Sequence, residues 1–254
     1  MPLDAQQVAD QEVKKWGREW LVGHHYPHMD WPVEHGPPPD RLMRWGVDKA
    51  CRSFACGTGL GWDALHPRAL LRCSDTLIEA ICDLLMLCEA TGGWPKAVAF
   101  IVVVLLPKPD GGFRPIGLLP LLPRLWMRAR REVATEWERM HQRAYLYAGE
   151  AKGAHVAVWK QAARAELAAV VGTEYAIILL DLVKAFERVP HEVVLREATR
   201  LGYPLWLLRL SFATYRLGRV LRVGSVVSAV VQATRGIVAG SWFATTELRV
   251  MMIN

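Results

Sequence analysis

Three short stretches carry residue types and spacings suited to chemistry on a phosphate chain. The first is LLDLVKAFERVPH, residues 179–191, where an apolar run over 176–180 ends on Asp181. A carboxylate where burial ends needs a cation, a hydrogen-bond donor or metal ions. At the carboxyl end of a central strand it can hold a divalent cation, because the strand fixes its oxygens while the following loop stays open. Capping a helix, or pairing with Lys184 or an arginine, explains it equally well. The second stretch is LLPKPDGGFRPIG, residues 105–117, which puts Lys108 and Arg114 on a glycine hairpin. Lys as a point charge and Arg as a bidentate fork suit a triphosphate; the plain alternative is a solvated charged tip. The third, TRGIVAGSWFA at 234–244, sets Gly236, Gly240 and Ser241 at a strand-to-helix turn. Small residues there let a nucleotide or a nucleic-acid strand approach the backbone, although an ordinary glycine turn has the same composition.

The elements that must position these stretches follow from apolar periodicity. From Ser74, the spacing of Leu77, Ile78, Ile81, Leu84, Leu85 and Cys88 predicts a helix stopped by Gly92, Gly93 and Pro95. Residues 98–106 read as a buried strand, and PKPDGGF supplies the turn before the return RPIGLL, giving a hairpin. After Pro123 a helix is expected with Trp126, Ala129, Val133, Trp137 and Met140 on one face. Its other face holds Arg124, Arg128, Arg130, Arg131 and Arg139, either simply solvated or facing a nucleic acid. Val156, Trp159, Ala163, Leu167 and Val170 predict a third helix, ended by Gly172, that delivers the chain into a buried strand over 177–180. Pro190 opens a helix through Leu201, Gly202 and Pro204 separate it from another over 205–215, and 220–236 reads as two strands around Gly224 and Ser225. A last helix begins near Ser241. This order predicts an α+β domain with helices against one face of a mixed sheet; a doubly wound parallel fold is the runner-up, weakened by the hairpins. No GxGxxG or GxxxxGK[ST] occurs, and TGLGWD at 58–63 has no lysine, so a mononucleotide P-loop is not expected.

Composition bounds the partners. The chain has 254 residues, 52% of them apolar, enough to bury a sizeable core, so a disordered tail is excluded. A net charge of +6 makes polyanions suitable partners. Five cysteines without a CxxC pair read as free thiols in a reducing compartment. His24, His25, His28 and His35 precede Cys51 and Cys56, but their spacings match no zinc finger or ribbon. The longest apolar run, 97–106, is about half of a bilayer span, which argues for a strand and against a membrane anchor. The N-terminus lacks the apolar stretch of a secretory signal, so the expected location is intracellular, in nucleus or cytoplasm, not secreted. Residues 1–56, rich in Trp, His and Pro and including VEHGPPPDR at 33–41, read as an irregular leader.

In this order the three stretches resemble the reverse transcriptase domains of non-LTR retrotransposons and group II introns, over about residues 57–254. GLGWDALHPRALL at 59–71 is similar to the family's leading G-x-D segment, and LLPKPDGGFRPIGLLPLLPRLWMRAR is similar to its fingers block. LLDLVKAFERVPH is similar to the first palm motif, and RGIVAGSWFA to the glycine-bearing motif that follows. The resemblance implies a partial right-hand polymerase, with 57–150 fingers-like and 151–254 an incomplete palm. It implies Asp181 as a ligand of both catalytic Mg²⁺ ions with the Leu182 carbonyl as a further ligand. Phe186 becomes the aromatic gate beneath the incoming sugar, favouring deoxynucleotides. Lys108 and Arg114 hold the triphosphate, Gly240 and Ser241 lie near the templating base pair, and the partners are RNA template, primer strand and deoxynucleoside triphosphates. The implied reaction is two-metal phosphoryl transfer.

The chain departs from the family in two places. Val238 and Ala239 stand where the family usually has Pro-Gln. No Asp-Asp pair occurs, and beyond Asp181 the only carboxylates are Glu187, Glu192, Glu197 and Glu247. The sequence ends before the hairpin that carries the family's paired aspartate. With one side-chain carboxylate, Mg²⁺ is expected to bind weakly or not at all in the isolated chain, which is then not expected to polymerise by itself. Two alternatives stay open. One is a non-catalytic RNA-binding remnant using Arg124, Arg128 and Arg131 with Arg209, Arg216, Arg219 and Arg222; the other is a retroelement fragment whose unfinished sheet edge associates with a partner or aggregates.

Overall fold

The computed structural model describes residues 4–23, 25–33, 39–109, 111–148 and 152–253. His24, His35, residues 34–38 of the proline-rich stretch and Asp110 of the hairpin lie outside the described residues. The frame is a four-stranded mixed sheet of order β2-β1-β3-β4, built from β1 (Phe100–Pro107), β2 (Phe113–Leu118), β3 (Gly218–Val223) and β4 (Val226–Val227). β1 pairs antiparallel with β2 and parallel with β3, so it is flanked on both sides. Its β-branched run buries Ile101, Val102 and Val103, as a strand covered on both faces requires. A mixed sheet combined with separate helices agrees with the α+β class.

Helices precede β1, fill the long connection from β2 back to β3 and follow β4. α3 (Asp75–Thr91) starts where the Ser74 hydroxyl accepts the Leu77 N–H at 3.4 Å and ends at Gly92, whose φ of +67° favours glycine. The single helix expected after Pro123 is two, α4 (Leu121–Ala129) and α5 (Arg131–Met140), broken at Arg130. The Arg130 backbone leaves helical geometry while its guanidinium turns inward to grip Glu89, through Nε to Oε1 at 2.7 Å and Nη2 to Oε2 at 2.8 Å. α6 (Ala154–Val171), α7 (His191–Arg200), α8 (Leu205–Tyr215) and α9 (Ala244–Met252) follow. No described helix is long and apolar enough to cross a membrane.

Two expectations fail. The segment 1–56 is not irregular throughout: α1 (Ala5–Trp20) and α2 (Arg44–Arg52) are helices. The His and Pro content of the segment hides a helical period, Ala9, Val13, Trp16 and Trp20, whose buried side packs α1 onto β3 and β4. Nor is 177–180 a buried strand. Residues 173–182 pair with no strand among the described residues, and Ile178, Leu179 and Leu180 are 84–89% exposed. β1 already has neighbours on both sides, so the run has no central place beside it. α6 shares this exposure: of its residues only Ala168 is buried, while Trp159 and Val170 face solvent.

The core is sewn together by a buried histidine. His191, at the start of α7, stacks on Phe212 at 4.4 Å and donates from Nε2 to the Gly236 carbonyl at 2.9 Å. Its Nδ1 accepts the Tyr26 hydroxyl, which fixes a neutral ring. Burial pushes its pKa down to about 4, despite the opposing hydrogen bond to Gly236. The same ring therefore holds the N-terminal segment and the glycine turn to α7.

Candidate functional site

An open cleft of about 750 Å³ lies between the hairpin tip, the 181–187 segment and α1. Lys108 and Arg114 enter it from the β1–β2 hairpin, whose register pairs Leu106 with Arg114 and Pro107 with Phe113. Gly111 and Gly112, at φ +88° and +78°, turn the chain back over two residues that L side chains rarely follow. The Gly111 N–H closes the turn on the Lys108 carbonyl at 3.1 Å. Both cations are exposed, and neither forms an ion pair among the described residues.

Asp181, Leu182 and Phe186 line the opposite side. The Asp181 carboxylate is exposed and has no hydrogen bond or ion pair among the described residues. Of the alternatives open at the sequence level, no helix starts until His191, and Lys184 is engaged elsewhere. Lys184 Nζ bonds Glu19 Oε1 at 2.5 Å and Arg188 Nε bonds Glu19 Oε2 at 2.8 Å. These two cations, Arg188 first, hold the Glu19 carboxyl down to a pKa of about 2. The clamp fixes a turn in which Lys184 takes a φ of +53°, a conformation costly for a side-chain-bearing residue. Phe186 is thereby held half-buried against the core, with its carbonyl accepting the Ile237 N–H at 2.8 Å.

The glycine turn joins this segment to the sheet. A Cβ on Gly236 would lie 2.5 Å from the Glu187 carbonyl oxygen, and one on Gly240 would collide with that of Gly117. The close packing of three backbones therefore explains these glycines without a ligand. Gly240 does not line the cleft; it lines a second pocket of about 190 Å³ with Gly117 and Leu118 of β2. Ser241 turns inward, its hydroxyl 2.9 Å from that of Tyr215, and also accepts the Phe243 N–H at 3.2 Å.

The arginines expected on one helical face divide into different roles. Arg124 is buried, and its Nη atoms donate to the Gly59 and Leu65 carbonyls at 2.6 and 2.9 Å. It thus ties down the loop that carries the GLGWD residues. Arg128 stacks 3.8 Å over Trp242 and 4.9 Å over Phe54 in the second pocket. Burial, then the neighbouring Arg131, lowers its pKa. Arg131 itself bonds Glu132 at 3.1 Å.

The cleft thus gathers five of the residues singled out from the sequence, namely Lys108, Arg114, Asp181, Leu182 and Phe186, and leaves Gly240, Ser241, Arg124, Arg128 and Arg131 outside it. It adds Lys15, Trp16, Lys184 and Glu187 to the lining, with Glu19 behind. Lys15, Trp16 and Glu19 could be found only by recognising α1, and even then nothing in their spacing points at a hairpin about ninety residues away. The described residues contain no group of three or more His, Cys, Asp or Glu side chains placed to hold a metal ion. Asp181, the Leu182 carbonyl and Glu187 are the cleft's oxygen donors nearest in type to a magnesium site, and they do not fit a two-metal centre. No family model matches the chain, and no curated protein matches it.

Proposed function

We propose that the chain is a reverse-transcriptase-type fingers and palm unit whose cleft binds a deoxynucleoside triphosphate beside an RNA template. The observation that carries this reading is the meeting, in one cleft, of Lys108 and Arg114 from a hairpin with Asp181, Leu182 and Phe186 from a distant segment. In this reading Lys108 and Arg114 take the triphosphate oxygens and the half-buried Phe186 lies under the sugar. Arg128, stacked on Trp242 beside Gly240, offers the cation and aromatic face that single strands use, on the template side. Asp181 and Leu182 face the phosphates, where Mg²⁺ would bind weakly through a single unpaired carboxylate and its own waters. Because the donor set does not fit a two-metal centre, no nucleotidyl-transfer step is assigned to the chain by itself. With such ligands the proposed location is nucleus or cytoplasm, which cell fractionation checks.

Calorimetric titration with Mg²⁺ and dTTP tests the reading. Each charge-assisted contact is expected to contribute about tenfold in affinity, so Lys108→Ala with Arg114→Ala should weaken binding roughly a hundredfold. Unchanged affinity in that double variant, or no binding by the wild type, removes the nucleotide assignment.

A further inference from the structure

α1 is anchored so that its middle overhangs the cleft. At its C-terminal end the Glu19 carbonyl accepts Arg235 Nε at 2.7 Å, and the Trp20 carbonyl accepts the Thr234 N–H at 2.9 Å. The Trp20 ring lies beneath the buried Arg219 guanidinium at 4.6 Å. Glu19 meanwhile grips Lys184 and Arg188 of the 183–188 turn. Lys15 stands four residues before Glu19, hence on the same side of the helix, and reaches the cleft with Trp16.

The charges in the cleft show what Lys15 does there. Lys184 is committed to Glu19, which leaves Lys108 and Arg114 facing two carboxylates, Asp181 and Glu187. Those four charges cancel, and the Glu19 clamp, with Lys184 and Arg188 on one carboxylate, leaves a single positive charge beside them. Lys15 adds a second, which favours a polyphosphate further. Its present partner holds it loosely: Nζ lies 3.2 Å from Glu12 Oε1, with the lysine side chain 47% exposed. The Glu12 side chain is 14% exposed, so the pair is half in solvent and contributes modestly. Glu12 also keeps a partner when Lys15 leaves, because its Oε2 accepts the Trp16 indole N–H at 2.9 Å.

We propose that Lys15 is a third phosphate-binding cation of the cleft, acting with Lys108 and Arg114 on the triphosphate chain of a nucleotide. This rests on the nucleotide reading above and extends it to an element outside the fingers and palm stretches. α1 becomes the third wall of the binding site, held in place by the Glu19 clamp.

Titration of the full chain with dTTP, with inorganic tripolyphosphate and with a short single-stranded RNA tests the assignment. The variants are Lys15→Gln, Lys108→Gln and, as a control of equal charge change, Lys14→Gln; Lys14 is exposed on α1 and does not line the cleft. Lys15→Gln is expected to weaken dTTP and tripolyphosphate about tenfold and to reduce the salt dependence, with Lys14→Gln within about twofold of wild type. Both lysines are exposed, so thermal melting should be unchanged in either variant. If the two α1 variants behave alike while Lys108→Gln still weakens dTTP, the Lys15 assignment is overturned and the nucleotide cleft stands. If Lys15→Gln weakens RNA binding and leaves dTTP untouched, Lys15 contacts a strand and the assignment is wrong. If Lys108→Gln also changes nothing, the nucleotide reading itself fails.

Discussion

Glu89→Ala is expected to lose about 3–5 kcal/mol of folding stability, the range for breaking one partner of a buried ion pair. Glu89 and Arg130 are 4% and 6% exposed, and the carboxylate accepts three hydrogen bonds, two from Arg130 and one from Trp126 Nε1 at 2.8 Å. Removing it strands a guanidinium among Trp206, Trp126 and the break between α4 and α5, without its carboxylate acceptors. Trp126 is fully buried and packs edge-on against Trp94 and Phe243, so the loss extends into the aromatic centre of the core. Glu89→Gln keeps one acceptor and should fall between the two. Replacing both partners with apolar residues, Glu89→Leu with Arg130→Met, should recover most of the stability, because no charge is then left unpaired. Urea unfolding measures all three; a loss under about 1 kcal/mol in Glu89→Ala would show that the pair is solvated.

Glu247→Gln is expected to stabilise the protein, increasingly so as pH rises. Glu247 is fully buried; burial, opposed by a hydrogen bond from Tyr215, pushes its pKa from 4.5 up to about 8. The folded state therefore holds a proton that the unfolded chain releases. A folded pKa above the unfolded one gives stability that is fully present below about pH 4.5 and is lost as pH rises through about 8. At 1.36 kcal/mol per unit the wild type should lose on the order of 5 kcal/mol across that window, and Gln, an isostere of the neutral acid, should lose none of it. His191 acts in the opposite direction. Its folded pKa of about 4 lies below the usual 6.5, so its stabilisation is present above 6.5 and lost as pH falls through 4. The two slopes offset each other between about pH 4.5 and 6.5, and stability should then decline toward pH 8. Unfolding curves from pH 5 to 9 for wild type and Glu247→Gln should diverge steadily and run parallel above pH 8; parallel curves throughout would contradict a neutral Glu247.

What could be read from the sequence follows from how local each signal is. The Ser74 cap and Gly92 stop of α3, the Pro190 start of α7, the Gly172 end of α6 and the double-glycine hairpin depend on residues within a turn or two, and all were legible. α1 was missed because its signal is a sparse apolar period in a segment coloured by His and Pro. The 177–180 run shows the opposite error: its residues are strongly apolar, yet a strand forms only where it finds a partner, and the places beside β1 are taken by β2 and β3, distant in sequence. The arginines after Pro123 share a helical spacing, but Arg124 and Arg130 are drawn inward by carbonyls and a carboxylate far along the chain. In the cleft, the convergence of Lys108 and Arg114 with Asp181 was implied by the family resemblance alone. The contribution of α1 and the capture of Lys184 by Glu19 required the fold.

Primer extension on an RNA template, with deoxynucleotides and Mg²⁺, tests the central claim most directly. Wild type is compared with Asp181→Ala while RNA binding is followed across salt concentration. Salt-sensitive RNA binding without extension is the predicted result, since the cleft gathers Lys15, Lys108 and Arg114 but, among the described residues, not the carboxylates of a two-metal centre. Extension by the wild type that disappears in Asp181→Ala would contradict it, because Asp181 would then belong to a complete metal site.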